Sequence, residues 1–208
     1  MSSLPQPPEP ESRSDALAST AVFSALVFLP ALVCFFRDVV DDPDVWWHLR
    51  AGQWILHHGA WPIVDTFSAY GAGNPWAAYS WIAEVLLYGL YQTFGLHGLV
   101  VYTAALSVGI VAAFHGLVWR LTENSLGALA LSLAAALGLI CLQTPRPWLF
   151  SILLFIVELD LLLTAGRTGN RRLLLWLVPL FAFWANVHIQ FVFGLVVLGM
   201  AVAEPLLV

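Results

Sequence analysis

The chain has 208 residues, 60% of them hydrophobic and 10% charged, with a formal net charge of −5. Apolar runs of this length exceed what the core of a small soluble domain uses, so the composition indicates a multi-pass membrane protein. All eight basic residues are arginines and form no basic stripe, which argues against nucleic acid as a partner.

Residues 1–15 are rich in Pro, Ser and Glu and lack the positive flank of a secretory signal, so they are expected to form a disordered cytoplasmic tail. Residues 16–36 are almost unbrokenly apolar and, at about 1.5 Å per residue, are long enough to cross about 30 Å of hydrocarbon. Further spans are expected over residues 98–117, 126–142, 148–165, 173–184 and 189–208. Residues 16–208 therefore read as one transmembrane module, an all-α bundle of about six spans.

The external loop, residues 37–97, holds six of the ten tryptophans: Trp46, Trp47, Trp54, Trp61, Trp76 and Trp81. Aromatics at this density favour the headgroup region. Trp47, Trp54, Ile55 and His58 recur at helical spacing, which predicts an interfacial helix over residues 45–57 closed by Gly59. Residues 68–75 read as a turn, and residues 77–94 as a second, half-embedded helix.

In this topology Arg13, Arg120, Arg167, Arg171 and Arg172 fall on one side, and Arg37, Arg50 and Arg146 on the other. The positive-inside rule then places the N-terminus in the cytoplasm and the acid-rich loop outside. Asp41, Asp42, Asp44, His48, Arg50, Asp65, Glu84, Arg146, Asn186, His188 and Gln190 all arrive near the outer surface. Ionisable groups at the hydrocarbon boundary are costly unless paired or solvated, so this convergence marks a water-filled site.

Asp42 and Asp44 flank Pro43. Two such carboxylates suit a divalent cation or a general base, while the plainer alternative is an acidic turn capping the following helix. Arg146, stiffened by Pro145 and Pro147, suits a phosphate or carboxylate, or else anchors in the headgroups. His188 is able to titrate or ligate near neutral pH, although a lone histidine there is more often an interface residue. Adjacent His57 and His58 point apart on a helix and make a poor shared metal site. Glu158 and Asp160, inside the fourth span, are expected to pair with Arg171 or Arg172 or to face the bundle interior. Cys34 and Cys141 read as packing residues.

The run from Asp42 to Arg50, with Gly52, Gly59, Pro62, Asp65, Phe67, Ser68, Trp76, Trp81 and Glu84, then Arg146-Pro147 and Trp184-x-Asn186-x-His188, resembles a bacterial branch of the GT-C class of membrane glycosyltransferases. Those enzymes draw sugars from polyprenyl-phosphate carriers and have an acidic motif at the start of a large first external loop. The resemblance implies the N-terminal transmembrane module of such an enzyme, acting at the outer face of the bacterial inner membrane. It also implies inverting sugar transfer, with Asp42 or Asp44 as base or as ligand to a divalent metal such as Mg or Mn. Arg146 and His188 would contact the donor phosphate, with Asn186, His48 and Glu84 completing the substrate site. Enzymes of this class usually have more spans and often a soluble C-terminal domain. The alternative is a non-catalytic membrane subunit packed in a larger complex. A transporter fits less well, because the polar groups gather at one surface instead of lining the spans.

Overall fold

The structure is a computed structural model that describes residues 13–36 and 40–207. Among those residues the regular secondary structure is helical: α1 (Arg13–Phe36), α2 (Asp44–His58), α3 (Trp81–Phe94), α4 (Leu96–Thr122), α5 (Ser125–Ile140), α6 (Trp148–Thr168), a 3-10 helix (Arg171–Trp176), α7 (Leu177–Val187) and α8 (Phe191–Leu207). The expected all-α class is observed. Two helices, α4 and α6, are long and apolar enough to cross a membrane; the apolar stretches Thr20–Phe36, Ser125–Ile140 and Phe191–Ala203 are shorter.

α4 is the hub, packing against α1, α3, α5 and α6. Its buried residues Leu99, Tyr102, Ile110, Val111 and Leu117 meet Val27 of α1, Leu87 of α3, Ala136 and Leu139 of α5, and Leu149 and Ile156 of α6. A polar pin crosses this apolar interior. Buried Gln143 donates from Nε2 to the Pro30 carbonyl (2.8 Å) and to Ser107 Oγ (3.2 Å). A proline inside a helix disturbs local hydrogen bonding, and the glutamine amide ties the affected turn of α1 to α4.

α2 and α3 form the helical pair expected in the external loop. Gly59, at φ 60°, ends α2 with its N–H on the Ile55 carbonyl, a left-handed geometry that suits glycine. A Cβ at Gly52 would lie 2.1 Å from the Glu84 carbonyl oxygen, so α2 and α3 cross where only glycine fits. Between them, residues 59–80 form a knot of turns with a single bridge between Val64 and Pro75.

Several boundaries differ from expectation. α1 begins at Arg13, inside the expected tail, whose residues 1–12 lie outside the described residues. The second loop helix starts at Trp81, not residue 77. The expected fifth span is divided: six residues wind as a 3-10 helix and only Leu177–Val187 is α-helical. Pro179 explains the start, because the first turn of an α-helix is where a missing N–H costs least. Asp160 pairs with Arg120 (2.8 Å) instead of Arg171 or Arg172, because α4 and α6 run side by side. Arg167 donates to the Arg120 carbonyl at the same end of the bundle. Glu158 faces the interior and is fully buried.

Candidate functional site

The site is built at the opposite end of the bundle, where Arg146 meets the start of α2. Arg146 lies between two fully buried prolines, Pro145 and Pro147, and its carbonyl accepts a hydrogen bond from Tyr102 Oη (3.0 Å). The backbone is thereby fixed and the guanidinium aims at the loop. Nη2 donates to Asp42 Oδ1 (2.6 Å) and lies 2.5 Å from Asp44 Oδ2. Nε sits 2.5 Å from Asp42 Oδ2 without the alignment of a hydrogen bond, so that contact is coulombic. The guanidinium carbon also stands 4.8 Å from the Trp148 ring centroid, a cation–π contact.

The two aspartates are not equivalent. The Asp42 side chain is 13% exposed, with both oxygens on Arg146, and its Oδ1 also caps the start of α2 through the Asp44 N–H (3.0 Å). Burial by itself raises the Asp42 pKa, but the Arg146 hydrogen bond, the Asp44 N–H and the arginine charge together hold it below the usual carboxylate value. Arg146 is shifted upward: burial opposes its charge, and the two carboxylates outweigh it. Asp44 is 54% exposed and contacts the arginine at its edge.

Beyond this cluster, His48 Nδ1 lies 3.4 Å from Glu84 Oε1, joining α2 to α3; Glu84 is buried and its Oε2 has no partner. His188, between α7 and α8, contacts Ser151 Oγ through Nδ1 (2.9 Å), and Trp184 Nε1 donates to the same oxygen (2.9 Å). An indole N–H only donates, so the serine oxygen accepts from Trp184, and it pairs with His188 Nδ1 as donor or as acceptor according to the imidazole tautomer. Burial first, then the charges of His48 and Arg146, push the His188 pKa down to about 4 against the upward pull of Gln190. The ring is therefore neutral at pH 7.

Asp44, His48, Glu84, Arg146 and His188 line one polar pocket of about 440 Å³, walled by Trp47, Trp76, Tyr79 and Trp148. Asp65 also borders it, but its carboxylate is taken up by the N–H groups of Phe67 and Ser68 and by the Ser68 hydroxyl, which makes it a loop-former. Asn186 is placed elsewhere. Its Oδ1 accepts from Trp81 Nε1 (2.8 Å), and it lines a neighbouring aromatic cleft that shares Trp76 and Tyr79 with the pocket. Arg50 belongs to a third cleft, between α2 and α3. On the other side, an apolar groove of about 730 Å³ runs between α4, α5 and α6 to Phe193 of α8, and Ser151, Trp184 and Gln190 line it. The Ser151–His188 hydrogen bond thus joins the apolar groove to the polar pocket.

Ser151 and Tyr79 were not anticipated. Ser151 is a lone hydroxyl in the apolar first turns of α6, one heptad before Glu158, and that isolation is the only sequence signal for it.

Among the described residues, no group of three or more His, Cys, Asp and Glu side chains is placed to hold a metal ion. Asp42 and Asp44 together turn three carboxylate oxygens toward the guanidinium, so a divalent ion held by the pair would have to take the place of Arg146. The chain matches no protein-family model, no curated protein and no solved structure.

Proposed function

We propose that this is an integral protein of the bacterial cytoplasmic membrane, with about six spans and a cytoplasmic N-terminus, that transfers a sugar from a polyprenyl-phosphate-linked donor at the extracytoplasmic face. The observation that carries the reading is the meeting of a long apolar groove with a charged pocket at the Ser151–His188 hydrogen bond. A lipid phosphate is amphipathic in the same way: its isoprenoid chain suits the groove and its phosphate suits Arg146 and His188. Exposed Phe28, Leu32, Phe35, Val196, Met200 and Val202 on α1 and α8 suit contact with lipid.

The exposure difference between the aspartates divides their roles. Asp42 anchors the arginine, and its depressed pKa makes it a weak base. Asp44 is the base: donor phosphate displaces it from the edge of the guanidinium and frees its carboxylate beside the reacting centre. The acceptor hydroxyl then forms a bond to the anomeric carbon as its proton passes to Asp44, and the bond from that carbon to the phosphate oxygen breaks. The polyprenyl phosphate leaves with its negative charge facing Arg146.

Asp44→Asn is expected to lower transfer from a polyprenyl-phosphate sugar by about 100-fold or more, as loss of a general base does, while helical content and thermal stability stay unchanged. Transfer at the wild-type rate in this variant would refute the role. Donor binding measured with and without Mg or Mn tests whether an ion displaces Arg146 from the aspartates.

The exposed apolar faces of α1 and α8 also suit a non-catalytic subunit of a larger membrane complex. Stoichiometric copurification of a partner, with Asp44→Asn leaving assembly and function intact, would favour that reading.

A further inference from the structure

We propose that the cleft between α2 and α3 binds the phosphate of an anionic phospholipid headgroup through Arg50. The cleft has a volume of about 520 Å³ and its lining includes Trp46, Tyr88, Tyr91, Gln53, Gln92 and Gly95 beside Arg50. Arg50 is exposed, and its contact in the cleft is Nη1 to Gln53 Oε1 (2.7 Å), which leaves most of its five donors for a ligand. Among the described residues no carboxylate lines the cleft, in contrast to the pocket where two aspartates balance Arg146. A concave site with an unbalanced guanidinium and amide donors selects an anion, and guanidinium geometry suits phosphate oxygens.

Two observations favour a lipid over a free phosphate. Trp46 and Tyr91 meet edge to face at 6.4 Å in the cleft wall, and such amphipathic rings prefer the headgroup layer. Gly95 is the residue from which α4, long and apolar enough to cross a membrane, departs. That places the cleft at the depth where hydrocarbon gives way to headgroups. The inference needs α4 to cross the bilayer but does not need the transfer reaction.

The test is lipid retention after extraction from bilayers of mixed phosphatidylcholine and phosphatidylglycerol, read by native mass spectrometry. The wild-type protein is expected to retain phosphatidylglycerol preferentially. Arg50→Gln should lower the ratio of bound phosphatidylglycerol to phosphatidylcholine about fivefold, the factor one basic residue contributes at an anionic surface, and Arg50→Lys should restore most of it. An unchanged ratio in Arg50→Gln would overturn the proposal. So would release of the lipid by millimolar glycerol phosphate, which would assign the cleft to a small phosphate instead. A protein released from membranes by carbonate would remove the bilayer premise, whereas a lipid-binding protein inactive in sugar transfer would leave this inference standing and refute only the transfer reading.

Discussion

Arg146→Gln tests the polar pocket most directly. In the folded protein the guanidinium offsets a carboxylate that is 13% exposed and a second that is 54% exposed. Removing one partner of a buried pair costs about 3–5 kcal/mol, because the other charge stays buried alone. The Arg146 side chain is itself 22% exposed, which puts its pairing with Asp42 at the lower end, about 3 kcal/mol. The exposed pairing with Asp44 adds about 0–1 kcal/mol. Arg146→Gln and Asp42→Asn should therefore each destabilise strongly, Asp44→Asn hardly at all, and the double variant Arg146→Gln with Asp42→Asn by clearly less than the sum of its singles. Thermal unfolding in detergent, followed by circular dichroism, reads the series; about 3 kcal/mol corresponds to a fall of about 6–12 °C for a chain of this size. The pH dependence supplies a second check. A depressed folded pKa for Asp42 means that its stabilisation is present above the unfolded carboxylate pKa and lost as pH falls through the folded value. In Arg146→Gln that acid-side loss should shrink or reverse, since burial without the cation raises the folded carboxyl pKa toward or above its unfolded value, and protonation then no longer favours the unfolded chain. If Asp44→Asn costs as much as Asp42→Asn, or if the double variant is additive, the assignment of Asp42 as the buried anchor is wrong.

Two further outcomes follow from the same geometry. Because His188 is pushed down to about 4 in the folded protein, the unfolded chain binds its proton first, so stability should fall as pH drops from about 6.5 to 4; His188→Asn should flatten that limb in a thermal-unfolding series. Gly52→Ala should destabilise by about 1–3 kcal/mol or more, since its Cβ would meet the backbone carbonyl of Glu84, and tryptophan fluorescence should report α2 and α3 moving apart; a neutral effect would mean that the crossing is loose.

Local chemistry made much of the fold legible. Helical spacing of aromatics and the left-handed stop at Gly59 marked α2, and the proline-flanked arginine marked a rigid turn, because these features depend on neighbours within a few residues. The split of the expected fifth span was harder to read, since hydropathy is the same for α and 3-10 backbone and only Pro179 carries the difference. Grouping by side of the membrane was too coarse to place Asn186 and Arg50. Both were expected beside the acids, but one bonds Trp81 and one faces a separate cleft, whereas Asp65 does border the pocket while its carboxylate closes its own turn.

Sequence by itself determined the helical class, the long apolar segments and the residues that close or stiffen turns, because each follows from composition or short-range sterics. Tertiary structure alone decided which aspartate is buried, that Arg146 reaches Asp42 across 104 positions of sequence, and that Ser151 links the apolar groove to His188. Those facts depend on how α2, α6 and the turn after α7 are set against one another, and that setting comes from the packing of the whole bundle around α4.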